Sequence, residues 1–89
     1  MKIYFDTSVL VSVLVRAEPY HTASVREYGS HFEKVTSTHA LGELFSTLTS
    51  GRLPVQFTPQ QAAESLRENI IGAFELYSFT PEDYQAAAA

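Results

Sequence analysis

Ile3-Tyr4-Phe5-Asp6-Thr7-Ser8-Val9-Leu10-Val11-Ser12-Val13-Leu14-Val15 is the stretch on which the fold turns. Its apolar opening, Ile3 to Phe5, breaks at Asp6, Thr7 and Ser8, three residues that favour helix N-caps. The β-branched run from Val9 to Val15 suits a strand by composition, and periodicity alone does not separate a strand from a buried helix. Length argues for the second, because one strand from Ile3 to Val15 would far exceed the usual ~5–6 residues. The reading is a strand over Ile3–Phe5, a turn at Asp6–Ser8 and a buried helix to about Arg16.

The same punctuation continues outward. Pro19 and Tyr20 open a second helix, with Tyr20, Ala23, Val25 and Tyr28 expected inward and Gly29 at its end. Phe32 to Thr36 reads as a second strand. The hydroxyls of Thr36-Ser37-Thr38 offer caps for a third helix, in which Leu41, Leu44, Phe45 and Leu48 fall on one apolar face before a stop at Gly51. Thr58-Pro59-Gln60-Gln61 combines an N-cap, a first-turn proline and a capping-box glutamine. The helix that follows carries Ala62, Ala63, Leu66 and Ile70 and stops near Gly72. Phe74 to Phe79 reads as a third strand. Thr80-Pro81-Glu82-Asp83 then repeats the helix-start signal, with two carboxylates at the positive end of the helix dipole. Strands alternating with helices imply an α/β fold with a parallel sheet and right-handed crossovers.

Composition narrows the function classes. The 89 residues suffice for one domain, and 45% hydrophobic with 18% charged residues excludes a disordered chain. The longest apolar run is too short to span a bilayer, and no secretory leader opens the chain, so a cytoplasmic protein without a membrane partner is expected. The absence of cysteine excludes disulfides, thiolate metal sites and cysteine nucleophiles. Six basic against ten acidic residues give a net charge of −4, which argues against holding nucleic acid through a basic surface. An acidic site built around a cation stays compatible with that balance, because the ion inverts the local field.

In an open α/β sheet, ligands collect at the carboxyl ends of the strands. Asp6 stands at that end of the first strand. Glu43 lies off the apolar face of the third helix, on a row with His39, Gly42 and Ser46. Two carboxylates on one rim could hold a hard divalent ion, with water and a substrate phosphate in the remaining positions. Each residue also has a plainer reading. Asp6 serves as an N-cap, Glu43 as a solvated helix residue, and His39 with Glu43 as a surface pair at i, i+4. Glu82 and Asp83 read as dipole partners. Arg16 and Arg52 could contact phosphate, but two arginines in an acidic chain make no footprint. A phosphotransferase with an aspartyl nucleophile would place a second aspartate where Ser8 stands, and no Gly-rich phosphate loop or dinucleotide fingerprint is present.

Three segments together resemble a PIN domain of the VapC type, the ribonuclease toxins of bacterial and archaeal toxin–antitoxin pairs. They are Ile3-Tyr4-Phe5-Asp6-Thr7-Ser8-Val9-Leu10, Val35-Thr36-Ser37-Thr38-His39-Ala40-Leu41-Gly42-Glu43-Leu44 and Phe79-Thr80-Pro81-Glu82-Asp83-Tyr84. The resemblance implies a three-layer α/β/α fold with a parallel sheet, of which residues 1–89 hold the first three strands. It implies a single PIN-like domain, incomplete at its C-terminus, because the family's third acidic residue lies beyond the helix that starts at Pro81. On this pattern Asp6 and Glu43 are the catalytic acids and metal ligands, with Thr7 and Ser8 as supporting hydroxyls. The implied activity is magnesium- or manganese-dependent cleavage of an RNA phosphodiester. The implied partners are a second copy in a homodimer and a cognate VapB-type antitoxin. The alternative is a catalytically inactive PIN-like fragment acting as an antitoxin-binding or self-associating module.

Overall fold

A computed structural model describes residues 2–30 and 33–88. The elements run β1 (Ile3–Tyr4), α1 (Thr7–Leu14), α2 (His21–Ser30), β2 (Lys34–Ser37), α3 (Thr38–Leu48), α4 (Pro59–Leu66), a π-helical turn (Arg67–Ile71), β3 (Phe74–Tyr77) and α5 (Pro81–Ala88). The strands form one parallel sheet in the order β1-β2-β3. The α/β architecture and parallel sheet are as the sequence implied. The expected start of β2, Phe32, lies outside the described residues.

The stretch that decides the fold divides as expected. Tyr4 pairs with Val35, and the ladder extends one step further through Phe5 N–H donating to the Val35 carbonyl at 2.9 Å. The chain then leaves the sheet at Asp6 and enters α1 at once. Leu10 and Val11 of that helix are buried, as is Val15 just after it, which is why so apolar a segment is stable as a helix. Phe5, Leu10, Val11 and Val15 join Leu44, Leu48, Ala62, Leu66, Ile70 and Phe74 in one core. Phe5, one residue past β1, and Phe74 at the start of β3 meet edge to face, with ring centroids 5.2 Å apart. In α3 the buried line is Ala40, Leu44 and Leu48, flanked by the half-buried Leu41 and Phe45.

The inward face of α2 is rotated from the one expected. Tyr20 is 74% exposed, and Ala23 and Val25 also face outward. The inner row is His21, Ser24 and Tyr28, at helical spacing. Polar ties set this rotation. His21 Nδ1 lies 2.7 Å from the Ser12 carbonyl, which can only accept, and Tyr28 Oη donates to the Asn69 carbonyl at 2.7 Å. Buried Ser12 and Ser24 are small enough to let the two helices approach closely.

Past Leu66 the expected single helix continues as the π-helical turn, which still delivers Ile70 to the core. The carbonyl that Tyr28 engages belongs to this turn, so a long-range aromatic contact occupies a backbone group in the loosened winding. The Thr58–Gln61 capping box forms in both directions, at 3.1 Å and 3.0 Å. Among the described residues no helix is long and apolar enough to cross a membrane.

Candidate active site

The parallel register sets where the site lies. With Tyr4 opposite Val35, Asp6 and Ser37 come level at the carboxyl edge of the sheet, and these two residues are the N-caps of α1 and α3. Two helices therefore start side by side from adjacent strands. A buried hydroxyl fastens the junction: Thr36 Oγ1 donates to the Phe5 carbonyl at 2.8 Å. Ser37 caps α3 by accepting from Ala40 N–H at 3.0 Å, and its hydroxyl lies 3.1 Å from Tyr4 Oη.

Asp6 is held from its own neighbourhood. Its Oδ1 accepts from Val9 N–H at 3.0 Å and from Ser8 Oγ at 2.9 Å. Among the described residues no donor reaches its Oδ2. Glu43 is held from farther away. Its Oε1 accepts from Thr7 Oγ1 at 3.0 Å, across thirty-six residues of chain, and lies 3.5 Å from His39 Nε2 one turn earlier on α3. Oε2 again has no donor among the described residues. Both carboxylates are exposed to solvent at the sheet edge.

Each of the four residues singled out from sequence thus has a defined place. Asp6 and Glu43 come to one rim. Thr7 joins them, because its backbone follows Asp6 and its hydroxyl grips Glu43. Ser8 orients Asp6. Among the described residues no cluster of three or more metal-ligating side chains forms. The donor set nevertheless fits a hard divalent cation: two carboxylates, each with one oxygen steadied by hydrogen bonds and the other facing water. Magnesium is commonly bound through one or two carboxylates plus water and phosphate, and magnesium or manganese both prefer oxygen donors.

Two shallow grooves adjoin at Thr47, one reaching Glu43 and the other Thr7 and Ser8, while Asp6 lines neither. One, of about 580 Å³, is lined by His39, Gly42, Glu43, Ser46, Thr47 and Arg52. The other, of about 620 Å³, runs along α1 past Thr7, Ser8 and Ser12 to Tyr20 and Leu53. Thr47 lines both. The sequence offered Arg52 as a possible phosphate contact but as too little, with Arg16, to make a footprint, and only the return of the chain after α3 brings it into the groove that Glu43 lines. The available signal was Gly51, whose φ of 79° turns the chain there.

A parallel sheet whose adjacent strands each run into a capped helix, with an acid from each helix region near one edge, is the arrangement expected of a PIN domain. The PIN domain profile matches residues 3–89, and the chain belongs to that family. Ribonuclease VapC27 of Mycobacterium tuberculosis is 39% identical over 79 residues, covering 86% of this chain and 56% of the relative. The crystal structure of M. tuberculosis VapC20, described as a sarcin-ricin loop cleaving toxin, superposes with a TM-score of 0.77 at 17% identity, covering 99% of this chain and 64% of that one. The chain spans about half the length of the curated relative it matches.

Proposed function

We propose that this protein is a divalent-metal-dependent ribonuclease, the toxin of a toxin–antitoxin pair, with residues 1–89 lying in its single PIN domain. One observation carries the reading: Asp6, the N-cap of α1, and Glu43, in the middle of α3, are linked through Thr7, which follows Asp6 in the chain and donates to Glu43 Oε1 at 3.0 Å. The ribonuclease relative, alike over most of this chain, supports the same activity.

Asp6 and Glu43 would hold magnesium or manganese through the oxygens that carry no donor. A divalent ion bound there supplies Lewis acidity toward a phosphoryl oxygen and lowers the pKa of a water. The chain's own residues do the positioning. Val9 N–H and Ser8 Oγ keep the Asp6 carboxylate from rotating, and Thr7 and His39 keep Glu43 over the rim. The substrate in this reading is RNA. The partners are a VapB-type antitoxin and a second copy of the chain, in the cytoplasm.

The test is RNA cleavage by the full-length protein with and without magnesium. Asp6→Asn is the informative variant, because asparagine caps a helix about as well as aspartate while removing the charge. Cleavage should require the metal and disappear in Asp6→Asn, with the melting temperature unchanged. Cleavage that survives in this variant or in EDTA would refute the assignment. A wild-type protein that binds antitoxin but never cleaves RNA would indicate a binding module instead.

A further inference from the structure

Gly42 poses a question that packing does not answer. It sits in the middle of α3, where glycine is destabilising relative to alanine. A Cβ built there would meet nothing within 4 Å, so no neighbour demands the missing side chain. Its φ lies outside the left-handed region as well, since Gly51 alone among the described glycines is positive. What Gly42 does is line the groove beside Glu43, with His39, Ser46 and Arg52 around it. Gly29 in α2 and Gly72 are as open, so it is the place of Gly42 in the groove beside Glu43, and not the open space alone, that leaves helix backbone accessible to a ligand there.

Arg52 supplies the matching charge. The left-handed turn at Gly51 returns the chain toward the outer face of α3. The Arg52 N–H then donates to Ser50 Oγ at 3.1 Å, and Ser50 Oγ donates to the Thr47 carbonyl at 2.8 Å, which fixes the backbone from which the guanidinium extends. Among the described residues no carboxylate pairs with that guanidinium. Arg52 is exposed at this groove, and the planar fork of an arginine without a carboxylate partner among the described residues matches phosphate.

We infer that the groove of His39, Gly42, Ser46 and Arg52 is a seat for a second phosphate of the substrate strand, next to the one addressed by Asp6 and Glu43. The inference rests on the ribonuclease reading above and extends it. Arg52 contacts the phosphate, and Gly42 leaves room for the sugar–phosphate backbone against α3. Arg52 is a binding residue here, not a catalytic one.

The experiment measures binding without turnover: fluorescence anisotropy of a short labelled oligouridylate with the full-length protein in EDTA, across a salt series. Arg52→Gln should weaken binding and reduce the slope of log K against log salt by about 0.7, the share of one phosphate on a single strand. Gly42→Ala should weaken binding severalfold with an unchanged salt slope, while its melting temperature holds or rises. Arg26→Gln, on the exposed side of α2, should change neither affinity nor slope. If wild type binds RNA and all three variants bind like it, the seat is wrong and the ribonuclease reading stands. If Arg26→Gln lowers the slope as much as Arg52→Gln, the effect is general charge and the seat is also wrong. If wild type binds no RNA, or an oligoglutamate peptide competes equally, the seat is wrong, while the ribonuclease reading is decided separately by the metal-dependent cleavage test.

Discussion

Asp6 and Glu43 do similar work at one rim and are held there by opposite means. Asp6 is anchored by residues two and three positions away, through the hydroxyl of Ser8 and the N–H of Val9. Everything that orients it lies within a single helix turn. Glu43 stands on an exposed face in the middle of α3, where no cap restrains it, and its anchor is Thr7 on a different helix. Its place also depends on the buried line Ala40, Leu44 and Leu48 on the other side of α3, which fixes how that helix is rotated. One carboxylate is a local product of the chain and the other a product of the core. The two should therefore respond differently to damage.

The strongest way to break this comparison is Leu44→Ala. Leu44 is fully buried behind Glu43, and its truncation should cost about 2–5 kcal/mol in denaturant unfolding. Magnesium affinity, read by calorimetry under native conditions, should fall as well, because α3 loses the packing that aims Glu43. Undiminished metal affinity would mean that Thr7 alone places the carboxylate.

A smaller effect tests the local side. Asp6→Ala removes the cap and should lower stability by about 1 kcal/mol, whereas Asp6→Asn should leave stability near wild type. Equal losses in the two variants would show that charge, and not the cap, is what Asp6 contributes to folding.

Smaller again is the link itself. Thr7→Val deletes a partly exposed hydrogen bond and should cost about 0.5 kcal/mol. Combined with Glu43→Gln in a double-mutant cycle, it should show coupling in metal affinity, while Ser8→Ala with Glu43→Gln should show none.

The smallest effect concerns a second locally held carboxylate, Asp83. Thr80 N–H donates to Asp83 Oδ2 at 2.8 Å and Asp83 N–H donates to Thr80 Oγ1 at 3.2 Å, a capping box at the start of α5. The backbone hydrogen bond from Thr80, with a further one from its side chain, holds the Asp83 carboxyl below the usual aspartate range. Its contribution is thus fully present above the ordinary aspartate pKa and is lost as the pH falls through the lower folded value. The protection factors of amides at the start of α5, measured against their intrinsic rates, should fall through that acid window, and Asp83→Ala should abolish the dependence.

The fold was legible wherever its signals were local. The caps at Asp6, Ser37 and Thr58 and the Thr80–Asp83 start appear where hydroxyl or carboxylate residues precede helical segments. The rotation of α2 was not legible. Its aromatic residues suggested one face, while the bonds of His21 to Ser12 and Tyr28 to Asn69 selected another, and those partners are remote in sequence. The π-helical turn escaped notice for the same reason, since Arg67 to Ile71 reads as ordinary helix until Tyr28 is brought against it.

By itself the sequence determined the strand–helix alternation, the parallel sheet and the acids Asp6 and Glu43 as candidates. The alternation and the sheet follow from turn chemistry and periodicity, which act over a few residues, while the two acids were singled out by the resemblance to the PIN family. Only the tertiary structure decided that Thr7 reaches Glu43, that Arg52 returns to the groove beside it and that Gly42 lies open there. Such contacts depend on how α1 and α3 are rotated and spaced against a shared core, and packing sets those quantities over the whole chain at once.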